Sequence, residues 1–211
     1  MFDVPEVEHL PYLPGQFVSF THDIAGKKIT RAYSTASAPH ANRFELCLNR
    51  VEDGLFSPYL FQMQPGECLD MKGPLGHFTW KEPVHDSILV ATGTGIAPFR
   101  GMLHAYLGSE PAREITLVFG VRYEHSLMYR GELEEMERNH PNFHFLPTLS
   151  RPDESWKGRE GHVQEHVFEV LGERRDMDVY ICGMKAMVDD VRNRLKGLGF
   201  DRKQIIFEKY D

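Results

Sequence analysis

Two rhythms divide the chain. Up to about residue 80, short strand-like pieces of mixed polarity alternate with turn residues. The pieces are QFVSF (16–20), KITRAYS (28–34), RFELCLNRV (43–51) and ECLDMKG (67–73). Between them stand Pro14-Gly15, Pro39-His40, Asp53-Gly54, Pro65-Gly66 and Gly73-Pro74. In the third piece Phe44, Leu46 and Leu48 occupy alternate positions, which predicts one strand face turned to a core. Many short strands at this spacing predict a small antiparallel β-barrel.

From Ser87 the strands read as continuous apolar runs: SILVA (87–91), EITLVFG (114–120), FHFLPTLS (143–150), DVYICG (178–183) and QIIFEKY (204–210). Amphipathic stretches lie between them: PFRGMLHAYL, RGELEEMERNH, HVQEHVFEVL and KAMVDDVRNRLKGLG. Buried strands alternating with such helices predict a parallel sheet covered on both faces. The polar WKEPVHD segment (80–86) separates the halves, giving a β domain over 1–81 and an α/β nucleotide-binding domain over 82–211.

Bulk properties narrow the function. With 211 residues, 26% of them charged, and a net charge of −7, the chain does not read as a nucleic-acid or membrane-surface binder. A local basic set remains in the first half: Lys27, Lys28, Arg31, Arg43, Arg50 and Lys72. No apolar run approaches the ~20 residues of a membrane span, and the start lacks the basic and apolar regions of a signal peptide. Cys47, Cys68 and Cys182 form no CxxC pair, so no metal centre is expected and a reducing, cytoplasmic setting is.

The strand SILVA runs directly into Thr92-Gly93-Thr94-Gly95, with a helix expected to begin at Pro98, where a missing N–H costs nothing. Glycines followed by a helix N-terminus make a suitable pyrophosphate cradle, although the third glycine of a dinucleotide fingerprint is replaced by Pro98. A plain strand–turn–helix is the alternative for this segment alone.

The motif has company. GTGIAP (93–98), RAYS (31–34), GLFSPYL (54–60), GPLGHF (73–78), FGVRYEHSLMYRGEL (119–133), YICGMKAMV (180–188) and FEKY (207–210) together resemble, in order, the motifs of the ferredoxin–NADP reductase family. Segment 119–133 carries Gly120, Arg122, Tyr129, Glu132 and Leu133 where the family has matching residues. The likeness covers almost the whole chain. It implies a flavin-binding β-barrel followed by a nicotinamide-nucleotide domain, with FAD and NADPH, or NADH as the alternative. It also implies electron delivery to a ferredoxin or other one-electron acceptor on a separate chain. Reductase of an oxygenase or haem system is the runner-up, and a non-catalytic binding module the rival from another class. Thirteen residues precede Pro14 where the family has roughly one strand more, so the barrel is expected to lack its first strand or to close differently.

Residue roles follow from the resemblance. Arg31 pairs with the flavin pyrophosphate, Tyr33 packs on the isoalloxazine, and Ser34 bonds the hydride-accepting N5, with Ala32 between them on the same strand. Gly54, Leu55, Phe56 and Ser57 open a helix toward the diphosphate; the Ser57 hydroxyl is expected to cap it, while Phe56 and Tyr59 read as packing residues. Asn49 and Arg50 lie near the flavin's nucleotide portion. Thr92, Gly93, Thr94, Gly95, Pro98, Arg122, Gly183 and Met184 line the nicotinamide nucleotide. Cys182 contacts the nicotinamide; Glu208 places a carboxylate near it and Tyr210 an aromatic ring over the flavin, with Asp211 beyond where several relatives end. Ser150, Arg151, Lys157 and Arg159 form a 2′-phosphate set, with Asp153 and Glu154 close by.

Overall fold

A computed structural model describes residues 1–109 and 112–210, so Asp211 lies outside the described residues. The first half is antiparallel throughout. Strand β1 (Phe2–Asp3) precedes β2 (Phe17–Ile24) and β3 (Lys27–Ser34), which form a hairpin; β4 (Arg43–Phe44), helix α1 (Phe56–Gln62) and β5 (Asp70–Leu75) follow. The ladders are β3-β2-β5 and β1-β4. Ala25 and Gly26, both at positive φ, make the two-residue turn whose twist matches the flanking strands. Val18, Phe20, Phe44 and Phe56 meet Leu10 and Tyr12 in one small core.

RFELCLNRV departs from expectation. It contributes Arg43–Phe44 to β4 and one bridge from Leu46 to Thr35, not a nine-residue strand. Glu45 turns its carboxylate to Arg100, and its own backbone N–H is accepted by Ser37 Oγ, so specific polar partners displace the ladder.

In the second half, β6 (Ser87–Thr92) is followed by a 3₁₀ turn (Gly93–Gly95) and α2 (Ile96–Tyr106). Then come β7 (Ile115–Val121), α3 (Arg130–Asn139), β8 (Phe143–Leu149), β9 (Arg159–Glu160), α4 (Val163–Leu171), β10 (Asp178–Met184), α5 (Lys185–Gly197) and β11 (Ile205–Tyr210). The parallel sheet runs β11-β10-β6-β7-β8-β9. Alternation of side chains splits its core in two. Leu89, Ala91, Leu117, Phe119 and Cys182 face the layer of α2 and α3, while Ile88, Val90, Val118, Val179 and Ile181 face α4 and α5.

The linker between the halves is anchored. Lys81 Nζ donates to both oxygens of Asp178 at 2.7 and 2.9 Å, Tyr180 Oη accepts the Lys81 backbone N–H at 3.0 Å, and Trp80 Nε1 donates to the Met102 carbonyl. Asp178 is 1% exposed, so removing Lys81 leaves its buried carboxylate with the longer His85 Nδ1 contact at 3.2 Å. Lys81→Met is expected to cost about 2 kcal/mol, below the ~3–5 of an enclosed pair because solvent screens a partly exposed ammonium. Denaturant unfolding reads this directly; an unchanged midpoint would refute it.

Candidate active site

Strand β6 connects onward to β7 on one side, while its other neighbour, β10, arrives much later in the chain. This is the switch point at which open α/β sheets leave a crevice at the carboxyl ends of their strands. Gly95 sits so close to β10 that a Cβ would lie 2.3 Å from the Cys182 carbonyl oxygen. Gly183 answers from the other side: at φ +143° its Cβ would lie 2.2 Å from Thr92 Oγ1. Thr92 Oγ1 accepts the backbone N–H of Met184 at 3.2 Å. The β6 and β10 loops therefore interlock, and Gly93 and Thr94 form the free rim above them. Pro98 is not the first residue of α2, which starts at Ile96; the 3₁₀ turn over the glycines runs straight into it. Proline still falls in the first turn, where backbone N–H groups have no helical partner.

Three distant segments converge beside this crevice. Ser34 ends β3 and donates from Oγ to Glu208 Oε1 at 2.8 Å. Glu208 is paired in register with Cys182, and Tyr210 with Met184. All four residues expected to be catalytic, Ser34, Cys182, Glu208 and Tyr210, thus gather at one junction. Burial pushes the Glu208 carboxyl up, offset in part by the Ser34 hydrogen bond. Burial, then the Glu208 charge, pushes the Cys182 thiol well up. A neutral thiol is a poor nucleophile, and Cys182 has no exposed surface: it lies in the sheet core beside the Tyr210 hydroxyl rather than facing the crevice, which corrects the direct nicotinamide contact expected of it. The Tyr210 hydroxyl is enclosed beside Ser34 and Cys182, while the residue as a whole is half-buried.

On the β3 side, Arg31 is exposed, donates from Nη1 to the Thr30 carbonyl, and has no acidic partner among the described residues. Tyr33 shares its face and lies 6.2 Å, ring to ring, from both Phe20 and Phe56. Ala32 is exposed on the other face. Ser57 does not cap α1. It lies within the helix, and its hydroxyl accepts the Val51 backbone N–H at 2.9 Å, closing the turn that contains Gly54. Phe56 is buried in the core of the first half and so packs; Leu55 is 49% exposed. Asn49 and Arg50 are exposed, with Arg50 3.4 Å from Glu52.

The 2′-phosphate set separates in space. The backbone N–H groups of Ser150 and Arg151 donate to the carbonyls of Val121 and Arg122, which brings two exposed arginines, Arg122 and Arg151, onto adjacent loops. Neither forms an ion pair among the described residues. Lys157 is exposed and donates to the Glu154 carbonyl. Arg159 is diverted: it binds Glu169 at 2.5 Å and reaches His166, so its charge is already matched by α4. Trp156, given no site role from the sequence, is 8% exposed, donates to the Arg159 carbonyl and lies under Arg130 at 5.5 Å, pinning the loop. A tryptophan in an otherwise polar run was the available signal.

Residues 1–80 match the model of the oxidoreductase FAD-binding domain, and residues 89–193 that of the oxidoreductase NAD-binding domain. Ferredoxin--NADP reductase B of Sorangium cellulosum is 42% identical over 207 residues, covering 93% of this chain and 84% of that protein. The toluate 1,2-dioxygenase electron transfer component of Pseudomonas putida is 28% identical over 205 residues, covering 97% of this chain and 60% of that protein. Among solved structures, the cytochrome P450 reductase GcoB of Amycolatopsis superposes with a TM-score of 0.86 at 29% identity, over 96% of this chain and 62% of its own. The chain thus spans most of the first relative and about three-fifths of the other two.

Proposed function

Since the chain belongs to the ferredoxin–NADP reductase family of FAD- and NAD(P)-dependent oxidoreductases, we propose that it takes hydride from NADPH and delivers single electrons to a ferredoxin-like acceptor on a separate chain. The observation that carries this reading is the Ser34–Glu208 bond, which joins the end of the flavin-side strand to the nicotinamide-side sheet at the switch point.

The residues fit both nucleotides. Arg31 offers an exposed, uncompensated fork to a diphosphate, and the enclosed Tyr210 hydroxyl lies beside Ser34 and Cys182, which holds its ring at the junction. Bound FAD would supply the two-electron-to-one-electron conversion that side chains cannot perform. The chain's part is positioning. Tyr33 and Tyr210 offer flat faces for the flavin. Ser34 presents a hydroxyl whose proton is directed to Glu208, and Glu208 in turn fixes that rotamer. The interlocked glycines give the nicotinamide a close floor, and Tyr210, which lies over the buried Cys182, would yield its place when the ring stacks. Arg122 and Arg151 offer paired cations to a 2′-phosphate, with NADH the alternative donor should they fail to engage it.

Anaerobic reduction with each nicotinamide tests the proposal. The purified protein should be yellow and bleach with NADPH; a colourless chain that neither takes up FAD nor is then reduced would overturn it. Arg151→Ala should raise the NADPH dissociation constant about 10-fold or more, the value of a charge-assisted bond, and leave NADH almost unaffected. Equal losses for both would remove the 2′-phosphate role.

Two partner readings compete. The likeness to a dioxygenase electron transfer component and to a cytochrome P450 reductase favours an oxygenase or haem system as the second. Efficient turnover of a ferredoxin supports the first, and capture of an oxygenase or haem subunit the second. The three free cysteines, Cys47, Cys68 and Cys182, suit a cytoplasmic setting. Among the described residues no helix is long and apolar enough to cross a membrane.

A further inference from the structure

Helix α2 meets the first half along a second seam, one turn beyond the glycine loop. Arg100 stands at its centre with a side chain 14% exposed. Its Nη1 donates to the Ala36 carbonyl at 2.7 Å and to Glu45 Oε2 at 2.8 Å, both in the first half. Its Nε donates to the Glu132 carboxylate of α3 at 2.9 and 3.0 Å, and its guanidinium lies 4.6 Å from the centre of the Tyr129 ring. The next residue, Gly101, brings the helix backbone against Ser37; a Cβ there would lie 2.6 Å from the Ser37 carbonyl oxygen. From the opposite side the Tyr12 hydroxyl donates to the Ser37 and Ala38 carbonyls. Segment 36–38 is therefore gripped from both halves, and it begins two residues after Ser34.

We propose that Arg100 is a positioning residue for hydride transfer, holding the Ser34 end of β3 at a fixed separation from the Gly93–Gly95 loop; this rests on the function proposed above. Two features separate it from a generic surface ion pair. One guanidinium holds a carbonyl, two carboxylates and a ring in four directions, a geometry that the point charge of lysine does not reproduce. It also lies on the helix that the nicotinamide loop opens, so a shift of the seam moves both partners of the transfer. A misplacement of ~1 Å costs about 100-fold in rate.

The test uses the FAD-loaded full chain. Arg100→Lys keeps the charge and loses the fork, and Glu45→Gln weakens the arm that crosses between the halves. Arg100→Lys should slow flavin reduction at saturating NADPH by about 10- to 100-fold, and Glu45→Gln by about 3- to 10-fold. Dissociation constants for FAD and NADPH should stay within about threefold of the parent value, because neither residue is assigned to either ligand. Independently of turnover, amide hydrogen exchange should quicken in residues 35–46 and 96–103 of both variants, with the outer strands β8 and β9 unchanged. Should Arg100→Lys fail to fold, Glu45→Gln decides alone. Unaltered rates with unaltered exchange would overturn the proposal, as would rate losses that merely follow lost FAD or lost NADPH affinity. If the parent bleaches normally while the variants match it, the positioning role falls and the reductase reading stands; a parent that no nicotinamide reduces removes both.

Discussion

Gly95→Ala is expected to abolish most nicotinamide-dependent flavin reduction, by about 100-fold or more, while FAD uptake persists. The argument is one of contact alone, since Gly95 has φ −61° and ψ −7°, which alanine adopts freely. Its added Cβ would lie 2.3 Å from the Cys182 carbonyl oxygen, 2.6 Å from the carbonyl carbon and 2.9 Å from Gly183 Cα. All three are backbone atoms within a central strand or at its end, so no rotamer change relieves the overlap. The β6 loop must move off β10, carrying with it the floor proposed for the nicotinamide, and stability should fall by about 2 kcal/mol from overpacking. The residues assigned to FAD lie before residue 60, apart from Tyr210, and are untouched. Gly93→Ala is the contrast: no atom lies within 4 Å of its Cβ, and its φ of +55° leaves a strain of about 1 kcal/mol. Anaerobic stopped-flow on both variants, with thermal unfolding alongside, separates the two cases. A Gly95→Ala protein with near-parent reduction rates would show that the loops do not interlock as described.

Glu208→Gln keeps an acceptor for Ser34 but removes the carboxylate charge proposed to lie near the nicotinamide; it should slow reduction about 100-fold through that lost electrostatic stabilisation and at the same time stabilise the protein. Burial raises the folded-state pKa of Glu208 above its ordinary value of 4.5. A carboxyl raised in this way stabilises the fold fully at pH below its unfolded value, and the contribution is lost as pH rises through the raised folded value. Glutamine carries no charge at any pH. The variant's advantage in unfolding midpoint should therefore be absent near about pH 4 and grow toward neutrality. Ser34 keeps an acceptor in either protein, so loss of that hydrogen bond does not account for the trend. Midpoints at both pH values settle the sign; an advantage largest in acid would mean that Glu208 is stabilised as the anion.

The parallel strands were legible because burial on both faces writes continuous apolar runs, and each of the five long ones lies within one residue of its run. Strand β9, two residues long, leaves no periodicity to read. The first half was less legible. Its antiparallel character showed in the turns, but RFELCLNRV looked like a strand by alternation while its polar groups answered to partners elsewhere. Ser57 looked like a cap because serine before an apolar stretch commonly is one; the helix began one residue earlier and the hydroxyl turned back to Val51. In the site, resemblance placed Ser34 and Glu208 separately, yet nothing in a linear pattern marks a bond between residues 174 apart. Arg100 was visible as a charge within an otherwise apolar helical stretch, and only the fold shows why it is there. Arg159 looked equivalent to Arg151 until α4 supplied Glu169.

Lys81 fastens the connecting segment to Asp178, the first residue of β10, whereas Ser34 reaches Glu208 near the far end of β11. Arg100 lies between them, so the first half is held against the second through Ser34 and Arg100, and the connecting segment through Lys81. A jaw so bolted does not swing, so turnover should not wait on a large rearrangement of one half against the other. On the function proposed above, exchange of spent for fresh nicotinamide should then need only the Tyr210 ring to step aside at the lip of the crevice.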